Sequence, residues 1–225
     1  MIEPAPLRSR HEQLLTQLRD VADTHGHDPA RLRIVAVTKT HPIALVRAAW
    51  SAGMTTLGES RVQEAEPKIA AVPDAEWHLV GRLQANKVRR AVRGFAAIHS
   101  VDSEELLERI VRIADEEGRR PRLLLEVNVS GEGSKAGLAP DRLRRLAVPS
   151  GADVVGLMTI APMGIAVDEA RDVFRTLRVL RDDLSQRLGR ELPELSMGMS
   201  ADAEAAAAEG ATLVRIGTAL FGPRP

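Results

Sequence analysis

The stretch Arg33-Ile-Val-Ala-Val-Thr-Lys-Thr-His-Pro42 contains the structural unit that the rest of the chain repeats. Its run of β-branched and apolar residues, from Ile34 to Val37, is typical of a strand buried on both faces. Pro42 then opens an amphipathic helix, at a position where a missing N–H removes no hydrogen bond. The stretch therefore predicts a strand followed directly by a helix, with Lys39 at the point where the strand ends.

Lys39 is the first candidate functional residue. At the tip of a buried strand, desolvation disfavours the charged ammonium and lowers the pKa of a lysine. A lysine with a lowered pKa can attack a carbonyl carbon and form a Schiff base. The alternative is a lysine whose apolar stem is buried while its charged end reaches solvent, which is the more frequent case at strand ends. This stretch alone leaves both interpretations open.

The composition excludes several classes of function. Of the 225 residues 44% are apolar, and 31 lysines and arginines balance 31 aspartates and glutamates, so no net field favours nucleic acid or an anionic membrane. The absence of cysteine excludes disulfides, thiolate catalysis and cysteine-bound metals. No apolar run reaches membrane-spanning length and the first residues lack the order of a signal peptide, so we expect a cytoplasmic protein. With three phenylalanines, two tryptophans and no tyrosine, stacking platforms for single-stranded nucleic acid are nearly missing.

Strands and helices alternate along the chain from Arg33 onward. We predict eight strands, at residues 34–38, 55–57, 77–80, 97–99, 123–129, 154–158, 195–197 and 213–216. The helices predicted between them cover residues 42–52, 60–71, 85–92, a segment ended by Gly118, 140–147, a long segment ended by Gly189, and 201–209. Asp102, with Glu105 three residues later, indicates a capping box at the start of the segment that Gly118 ends.

This alternation predicts an α/β fold with a parallel sheet and right-handed crossovers. Eight units favour a closed (β/α)₈ TIM barrel over an open doubly wound sheet, and no G-x-G-x-x-G motif follows the first strand. An additional amphipathic helix, at residues 5–24, precedes the first strand. We therefore predict a single domain over residues 1–225, with the N-terminal helix of residues 1–30 packed on the barrel.

Two loops near the end of the chain have the composition of a phosphate-binding site. The seventh strand runs into Ser196-Met-Gly-Met-Ser200 and the eighth into Arg215-Ile-Gly-Thr218, so both loops combine glycine, a hydroxyl and exposed N–H groups. Either loop alone could be a turn that uses glycine for its geometry. Together they occupy the two positions where phosphates concentrate in (β/α)₈ barrels, and we predict a phosphate site there.

Barrel closure places this predicted phosphate site close to Lys39, because the first strand lies beside the eighth. A lysine able to form an imine beside a phosphate site, without metal ligands, predicts a site for pyridoxal 5'-phosphate (PLP). Arg215 would then lie near the pyridine nitrogen, where its protonated guanidinium donates a hydrogen bond and leaves that nitrogen uncharged. An uncharged pyridine is a weaker electron sink, which disfavours carbanion chemistry.

Seven segments, in order along the chain, resemble the signatures of a known family. They are Val37-Thr-Lys-Thr40, Leu57-Gly-Glu-Ser-Arg-Val-Gln-Glu64, Trp77-His-Leu-Val-Gly-Arg-Leu-Gln-Ala-Asn-Lys87, Ser134-Lys-Ala-Gly137, Gly156-Leu-Met158, Leu195-Ser-Met-Gly-Met-Ser200 and Val214-Arg-Ile-Gly-Thr-Ala-Leu-Phe-Gly222. On these residues the chain, from about Arg33 to Gly222, resembles the pyridoxal phosphate homeostasis protein family (YggS/PROSC family).

The resemblance implies a PLP fold type III barrel like the N-terminal domain of alanine racemases, with the cofactor held as a Schiff base on Lys39. It places Ser200, Gly217 and Thr218 at the phosphate and Arg215 at the ring nitrogen. The implied function is that of a carrier or buffer in intracellular PLP homeostasis, which affects amino-acid and keto-acid balance and has no established catalytic turnover.

Four further residues are candidates for the surroundings of the cofactor. The family usually has asparagine, near the cofactor ring, where this chain has Ser60, so we expect a difference in affinity or absorption spectrum. Met158, at the end of the sixth strand, is either an apolar contact of the cofactor or part of the barrel core. His78, on the third strand, and His99, on the fourth, are either acids or bases near the cofactor or satisfied structural histidines, which are the more frequent case.

The remaining polar segments carry weaker signals. His25 and His27 lie in a loop without a carboxylate cluster, so we predict no metal site. The basic stretch within residues 82–93 either contacts an anionic partner or forms a solvated helix face, and we favour the solvated face. The glycine-rich loop at residues 130–137 is expected at the mouth of the site, where it would gate access.

Two functions from different classes stay open. The first is a monomeric PLP carrier whose partners are PLP-dependent apoenzymes, without nucleic acid or membrane. The second is an enzyme, either a minimal PLP-dependent amino-acid racemase or another Schiff-base enzyme, with His78 or His99 as acid or base. Racemases of this fold commonly use a tyrosine as the second acid–base group, and this chain has none, so we favour the carrier.

Overall fold

Eight parallel strands close into a barrel in the computed structural model, which describes residues 3–133 and 136–223. Within these residues the strands are β1 (Arg33–Val37), β2 (Thr56–Glu59), β3 (Glu76–Leu79), β4 (Ala97–Val101), β5 (Arg122–Glu126), β6 (Val154–Met158), β7 (Glu194–Ser196) and β8 (Leu213–Ile216). Each strand pairs with the next along the chain, and β8 pairs with β1. The predicted (β/α)₈ barrel is confirmed, although several strand ends differ from the predicted ones.

A helix follows each strand, and one more precedes the barrel. Within the described ranges the α-helices are α1 (Pro4–Thr24), α2 (Ile43–Ser51), α3 (Val62–Ala71), α4 (Val88–Gly94), α5 (Glu104–Glu117), α6 (Pro140–Arg145), α7 (Val167–Leu188), α8 (Ala203–Ala208) and α9 (Thr218–Phe221). The additional helix α1 packs against α8, α2 and α9. The sequence analysis does not predict α9, because a helix of four residues is too short to show a periodic apolar pattern.

Helix α5 shows how local sequence sets an element and corrects one prediction. Its buried face carries Leu107, Ile110 and Ala114, which recur at helical spacing and pack against the barrel. Its N-cap is Ser103, whose hydroxyl accepts a hydrogen bond from a backbone N–H in the first turn, so the predicted cap at Asp102 is wrong by one residue. Asp102 instead forms an ion pair with Arg82.

A layer of four charged side chains closes the N-terminal end of the barrel. Arg33, Glu76, Arg122 and Glu194 are the first residues of β1, β3, β5 and β7, and we call them the floor layer. Alternate strands supply such layers in this fold, and here the charges alternate in sign. Arg33 pairs with Glu194 and Arg122 pairs with Glu76, while Arg122 Nη1 lies 3.9 Å from Glu194 Oε1.

The apolar core lies between the strands and the surrounding helices, with a small cluster inside the barrel. Trp77 and Phe174 are the largest side chains of the outer core. The interior cluster consists of Val35, Leu124, Met158 and Leu213. Met158 therefore belongs to the barrel core, as one of its two predicted roles has it, while its contact with a cofactor stays a prediction.

Closure of the barrel brings the first and last strands together. In the β1–β8 pair, Val35 lies opposite Arg215 and Ala36 opposite Ile216. The loop after β1 and the loop after β8 consequently emerge side by side at the C-terminal end, as the sequence predicts for Lys39 and the Arg215 loop. The loops after β2 and β3 also approach each other closely at this end of the barrel. A Cβ on Gly81 would lie only 2.4 Å from the carbonyl oxygen of Ser60.

Candidate functional site

A cavity of about 390 Å³ opens at the C-terminal end of the strands, and we call it the main cavity. The residues that line it are Val37, Lys39, His41, Ser60, Val80, Gly81, Ile160, Met199, Ser200, Ala201, Arg215, Gly217, Thr218 and Gly222. Six of the eight predicted cofactor-binding residues are among them. His78 and Met158 do not line it.

Lys39 reaches the main cavity from a turn with unusual backbone geometry. β1 ends at Val37, and the half-buried Lys39 stands two residues later. Thr40 follows with φ 69°, a left-handed conformation that a β-branched residue rarely adopts. Its backbone N–H donates a hydrogen bond to the carboxylate of Glu64, on α3, which helps to hold this conformation. The turn that carries Lys39 is therefore held in one conformation.

A buried ion cluster fixes the other side of the same turn. Lys68 Nζ donates to the Thr38 carbonyl oxygen at 2.8 Å, to Glu59 Oε1 at 2.7 Å and to Glu64 Oε1 at 2.8 Å. The Thr38 hydroxyl also donates to Glu59 Oε1, at 2.6 Å. Burial raises the pKa of Glu59 despite these donors. Because Thr38 precedes Lys39 directly, this cluster positions the backbone from which Lys39 extends.

The loops after β7 and β8 bring hydroxyl and N–H groups to one side of the main cavity. The Ser200 hydroxyl accepts a hydrogen bond from the backbone N–H of Ala219, at 3.3 Å, which links the two loops. Gly198 has φ 89°, and a Cβ there would lie 2.5 Å from the Cβ of Ala206, so no other residue fits. Thr218 begins α9 at the cavity wall. This arrangement has the chemistry of an anion site.

Arg215 lies beneath these loops, on β8, and is 6% exposed. Its Nη1 donates to the Ser196 hydroxyl at 2.7 Å, and its Nη2 donates to the Thr159 carbonyl oxygen at 2.9 Å. Burial lowers the pKa of Arg215 to about 10, so the guanidinium stays protonated at neutral pH. Its remaining N–H groups are what Arg215 can offer to a ligand in the main cavity.

The two strand histidines lie inside the barrel and not at the cavity. His78 and His99 are both fully buried, and His78 Nδ1 lies 3.0 Å from His99 Nε2. Burial lowers the pKa of His78 to about 3 and lowers the pKa of His99 well below its usual range. The structure thus places His78 away from the lining of the main cavity, with polar partners of its own.

A second cavity of about 220 Å³ adjoins the main one and shares Val80, Gly81 and Ile160 with it. Met158 lines this side cavity together with Glu126, the last residue of β5. Burial, and next the charge of Asp102, raise the pKa of Glu126 to about 7. The sequence analysis did not predict Glu126 as a site residue. The only indication in the sequence is that an acid interrupts a strongly apolar strand.

The sequence analysis also missed His41, which lines the main cavity two residues after Lys39. His41 is nearly buried, and its ring packs edge-on against Phe221, with 5.5 Å between the centroids. Its position in the same loop as Lys39 was the available signal.

The basic stretch is paired with acids from neighbouring helices. Arg89 and Arg93 bond to Glu117 on α5, and Arg90 bonds to Glu66 on α3. The basic stretch is therefore an exposed surface whose charge is largely neutralised.

The glycine-rich loop at residues 130–137 is another predicted feature, and its Ser134–Lys135 part lies outside the described residues.

Other parts of the described structure offer less to a ligand. A groove of about 680 Å³ runs along α1, but that helix and the adjoining His25 supply all of its lining. Across residues 3–133 and 136–223, no helix is long and apolar enough to cross a membrane. In the same residues no three side chains of the metal-ligating types are grouped to hold a metal ion.

The donor set of the main cavity fits a phosphorylated aldehyde with an aromatic ring. Lys39 supplies an amine, Ser200 and Thr218 supply hydroxyls, and Arg215 supplies a fixed cation. The apolar walls at Val37 and Val80 suit the faces of a ring. These are the groups that PLP requires from a protein.

Comparisons with known proteins agree with this reading of the residues. The family model described as alanine racemase, N-terminal domain, matches residues 12–225. The chain is 41% identical to the pyridoxal phosphate homeostasis protein of Synechocystis, over 87% of this chain and 93% of that protein. It is 42% identical to the protein of the same name from Pseudomonas aeruginosa, over 94% of this chain and 93% of that one. The solved structure of PipY from Synechococcus elongatus, with PLP bound, matches with a TM-score of 0.83 and 41% identity, over 96% of this chain and 100% of that one.

Proposed function

This chain belongs to the alanine racemase N-terminal domain family and, within it, to the pyridoxal phosphate homeostasis proteins, and from that membership we propose that it binds PLP in the main cavity. The observation that carries the proposal is the convergence of Lys39 and Arg215 on one cavity, from strands at opposite ends of the chain. Bound PLP supplies an aldehyde that condenses reversibly with amines.

The roles of the individual residues follow from their chemistry. Lys39 would hold the cofactor as a Schiff base, since it is the lysine that lines the main cavity within residues 3–133 and 136–223. Ser200, Gly217 and Thr218 would hold the phosphate through hydroxyl and N–H groups. Arg215 would donate to the ring nitrogen and keep it unprotonated. Ser60, also in the lining, would contact the ring through its hydroxyl or through a water.

We propose that the protein acts as a carrier or buffer of PLP in the cytoplasm, as a single domain and a monomer, and delivers the cofactor to PLP-dependent apoenzymes. The positions of the strand histidines support a carrier over an enzyme. His78 and His99 are the groups that the enzyme alternative requires as acid or base, and neither lines the main cavity. Their lowered pKa values keep both neutral near pH 7.

One observation favours keeping a racemase or another Schiff-base enzyme as the second candidate. Glu126, with its pKa raised to about 7, lines the side cavity and could exchange a proton near neutral pH. Incubation of the PLP-loaded protein with amino acids in deuterated water separates the two candidates. We expect α-hydrogen exchange no faster than with free PLP, and exchange at enzymatic rates that is lost in Glu126→Gln would support the enzyme.

The binding proposal is tested by absorption spectroscopy with PLP, followed by reduction with borohydride. We expect an imine band in the native protein and its loss in Lys39→Ala. After reduction and digestion, mass spectrometry should find the cofactor on Lys39, one of only four lysines in the chain.

Lys87→Ala is the matched control, since Lys87 also follows a strand but does not line the main cavity. It should keep the imine band at full intensity. Cofactor trapped mainly on Lys87 or Lys68, or an unchanged band in Lys39→Ala, would contradict the proposal.

A further inference from the structure

A continuous row of polar side chains crosses the barrel interior from the main cavity to the floor layer. The Arg215 guanidinium donates to the Ser196 hydroxyl at 2.7 Å, and Ser196 Oγ lies 2.8 Å from His99 Nδ1. His99 Nε2 lies 3.0 Å from His78 Nδ1, and His78 Nε2 lies 3.0 Å from Glu76 Oε1. The row therefore consists of four hydrogen bonds, each of ordinary length, through side chains from β8, β7, β4 and β3.

The chemistry at the two ends of this row favours one direction for the hydrogen bonds in it. A guanidinium can only donate, so the Ser196 oxygen accepts from Arg215 and its own proton is available to His99. His99 then accepts at Nδ1 and carries its proton on Nε2, from which it donates to His78 Nδ1. At the other end the Glu76 carboxylate can only accept, which requires a proton on His78 Nε2. Starting from either end gives the same result, a neutral Nε2–H tautomer for both histidines.

The opposite direction satisfies fewer groups. In that direction His78 Nε2 would carry no proton, and its lone pair would face Glu76 Oε1 at 3.0 Å. The donor to that lone pair would then be Arg122 Nη2, at 3.3 Å. Arg122 is already paired with Glu76. The Ser196 proton would also lose His99 as its acceptor, and no other acceptor for it is found among the described residues. The direction from Arg215 to Glu76 is therefore the better one.

The surroundings keep both histidines neutral. The charged groups that act on the two rings are Arg33 and Glu194 of the floor layer, at one end, and Arg215, at the other. Burial is the main cause that lowers the pKa of both histidines. His78 and then Arg215 and Arg33 lower the pKa of His99 further, whereas for His78 the effect of Arg33 is opposed by Glu194. A neutral imidazole donates through one nitrogen and accepts through the other, which is what a one-directional row requires.

We infer that His99 and His78 are positioning residues that, through Ser196, hold the cation of Arg215 at the wall of the main cavity. The role rests on the proposed PLP binding, because the group that Arg215 would meet is the ring nitrogen of that cofactor. The row links Arg215 to the floor layer, so the guanidinium cannot rotate away without breaking a buried hydrogen bond. A fixed Arg215 keeps the ring nitrogen unprotonated, whereas a loosened one would let that nitrogen take up a proton.

Nitrogen-15 NMR of the histidine rings tests the row itself, in native protein before and after addition of PLP. Single His→Gln variants assign the two signals. We expect both rings to show the neutral Nε2–H tautomer, without titration between about pH 5.5 and 8. An Nδ1–H tautomer or an imidazolium at either residue in that range would overturn the inference, whether or not PLP binds.

Ser196→Ala tests the effect on the cofactor, because it removes the hydroxyl that joins Arg215 to His99 and little else. Of the two buried hydrogen bonds that are lost, the one from Arg215 orients the guanidinium, and its loss should weaken PLP binding about 5- to 10-fold. The absorption band should also become pH-dependent, because the ring nitrogen can then be protonated.

The control is Ser185→Ala, which removes a hydroxyl on α7 outside the cavity lining and should show neither effect. Native affinity with a native, pH-independent spectrum in Ser196→Ala would overturn the inference, whereas failure of the native protein to bind PLP would overturn the proposed function and leave the NMR result standing.

Discussion

At its N-terminal end the barrel interior is closed by the floor layer, where two arginines alternate with two glutamates, whereas at its C-terminal end Arg215 and Glu126 face cavities. Both ends hold charged groups on strands of the same sheet, half-buried at the floor except for the buried Glu194, and buried at the cavities. At the floor each charge has an opposite charge on a neighbouring odd-numbered strand. At the cavities Arg215 has only neutral partners for its bonds, and no side-chain hydrogen bond to Glu126 is found among the described residues.

The pKa values record this difference. Burial lowers the pKa of Arg215 to about 10 and raises the pKa of Glu126 to about 7. Desolvated charges without an ion-pair partner in contact are costly to a fold, and such charges concentrate where a protein needs their chemistry. From this difference we expect the paired charges of the floor layer to tolerate loss of a partner poorly, and the unpaired Glu126 at the C-terminal end to lower stability when it is ionised.

The largest expected effect comes from breaking the pairing in the floor layer. Glu194→Leu would leave Arg33 and Arg122 with one carboxylate between them and would remove the acceptor of the Thr212 hydroxyl. We expect the free energy of unfolding in urea to fall by about 2–4 kcal/mol, at the lower part of the range for buried pairs because the Arg33 side chain is 37% exposed.

Two variants check that prediction. Arg33→Leu combined with Glu194→Leu should lose less stability than Glu194→Leu alone, because it leaves no unpaired arginine at that position. Glu191→Ala removes an exposed acid close by in the sequence and should change stability little. If the losses of stability in Arg33→Leu and Glu194→Leu simply added up in the double variant, the two side chains would not act as a pair.

An intermediate effect of opposite sign is expected at the C-terminal end. The folded state keeps a proton on Glu126 up to about pH 7, whereas the unfolded chain loses it near pH 4.5. Between these values the folded state binds more protons, so this residue lowers the free energy of unfolding as the pH rises. Glu126→Gln should therefore stabilise the protein by about 1–3 kcal/mol at about pH 8 and leave it nearly unchanged at about pH 4.

Urea unfolding of the native protein and Glu126→Gln at both pH values measures this difference. Glu126→Asp is a useful second variant, because it keeps the ionisable group and should not remove the pH dependence. Equal stabilisation by Glu126→Gln at both pH values would point to packing and not to charge.

The smallest effect is expected at the exposed basic face of α4. The Arg89 side chain is exposed, and its ion pairs with Glu116 and Glu117 lie at the surface, where salt screens them. Arg89→Ala should therefore leave the unfolding midpoint within experimental error, at low salt and at high salt. A loss as large as that of Glu194→Leu would remove the distinction between the floor layer and surface pairs.

The sequence could predict the site residues that lie close to the C-terminal end of a strand, either in its last residues or in the loop that follows. In a parallel barrel all C-terminal strand ends meet at one face, so Lys39, Ser200 and Arg215 can be assigned to one site without knowledge of angles. Six of eight predicted residues line the main cavity for this reason.

The residues within strands could not be assigned in this way. Their height in the barrel depends on where each strand ends and on irregular pairing, such as the shift between Ile98 and Val101. The fifth strand is predicted to reach residue 129 but ends at Glu126, so the prediction placed this acid in mid-strand and not at a cavity. His78 shows the reverse error, since it lies one residue before the end of β3 but points to a buried partner below the cavity.

Closure of the barrel has a consequence for how the protein would keep its cofactor. Lys39 follows the first strand, whereas Arg215 and Thr218 belong to the end of the chain, and β1 meets β8 only when every intervening strand is in place. A molecule held by both ends can be bound only by a completely folded chain, and a fragment that ends before β8 should not retain it. Such binding raises the free energy of unfolding by RT ln(1 + [L]/Kd), about 2.7 kcal/mol when the free ligand is at 100 times Kd. PLP-loaded molecules should therefore unfold at a higher urea concentration than unloaded ones, so that release of PLP would lower the resistance of the whole chain to unfolding.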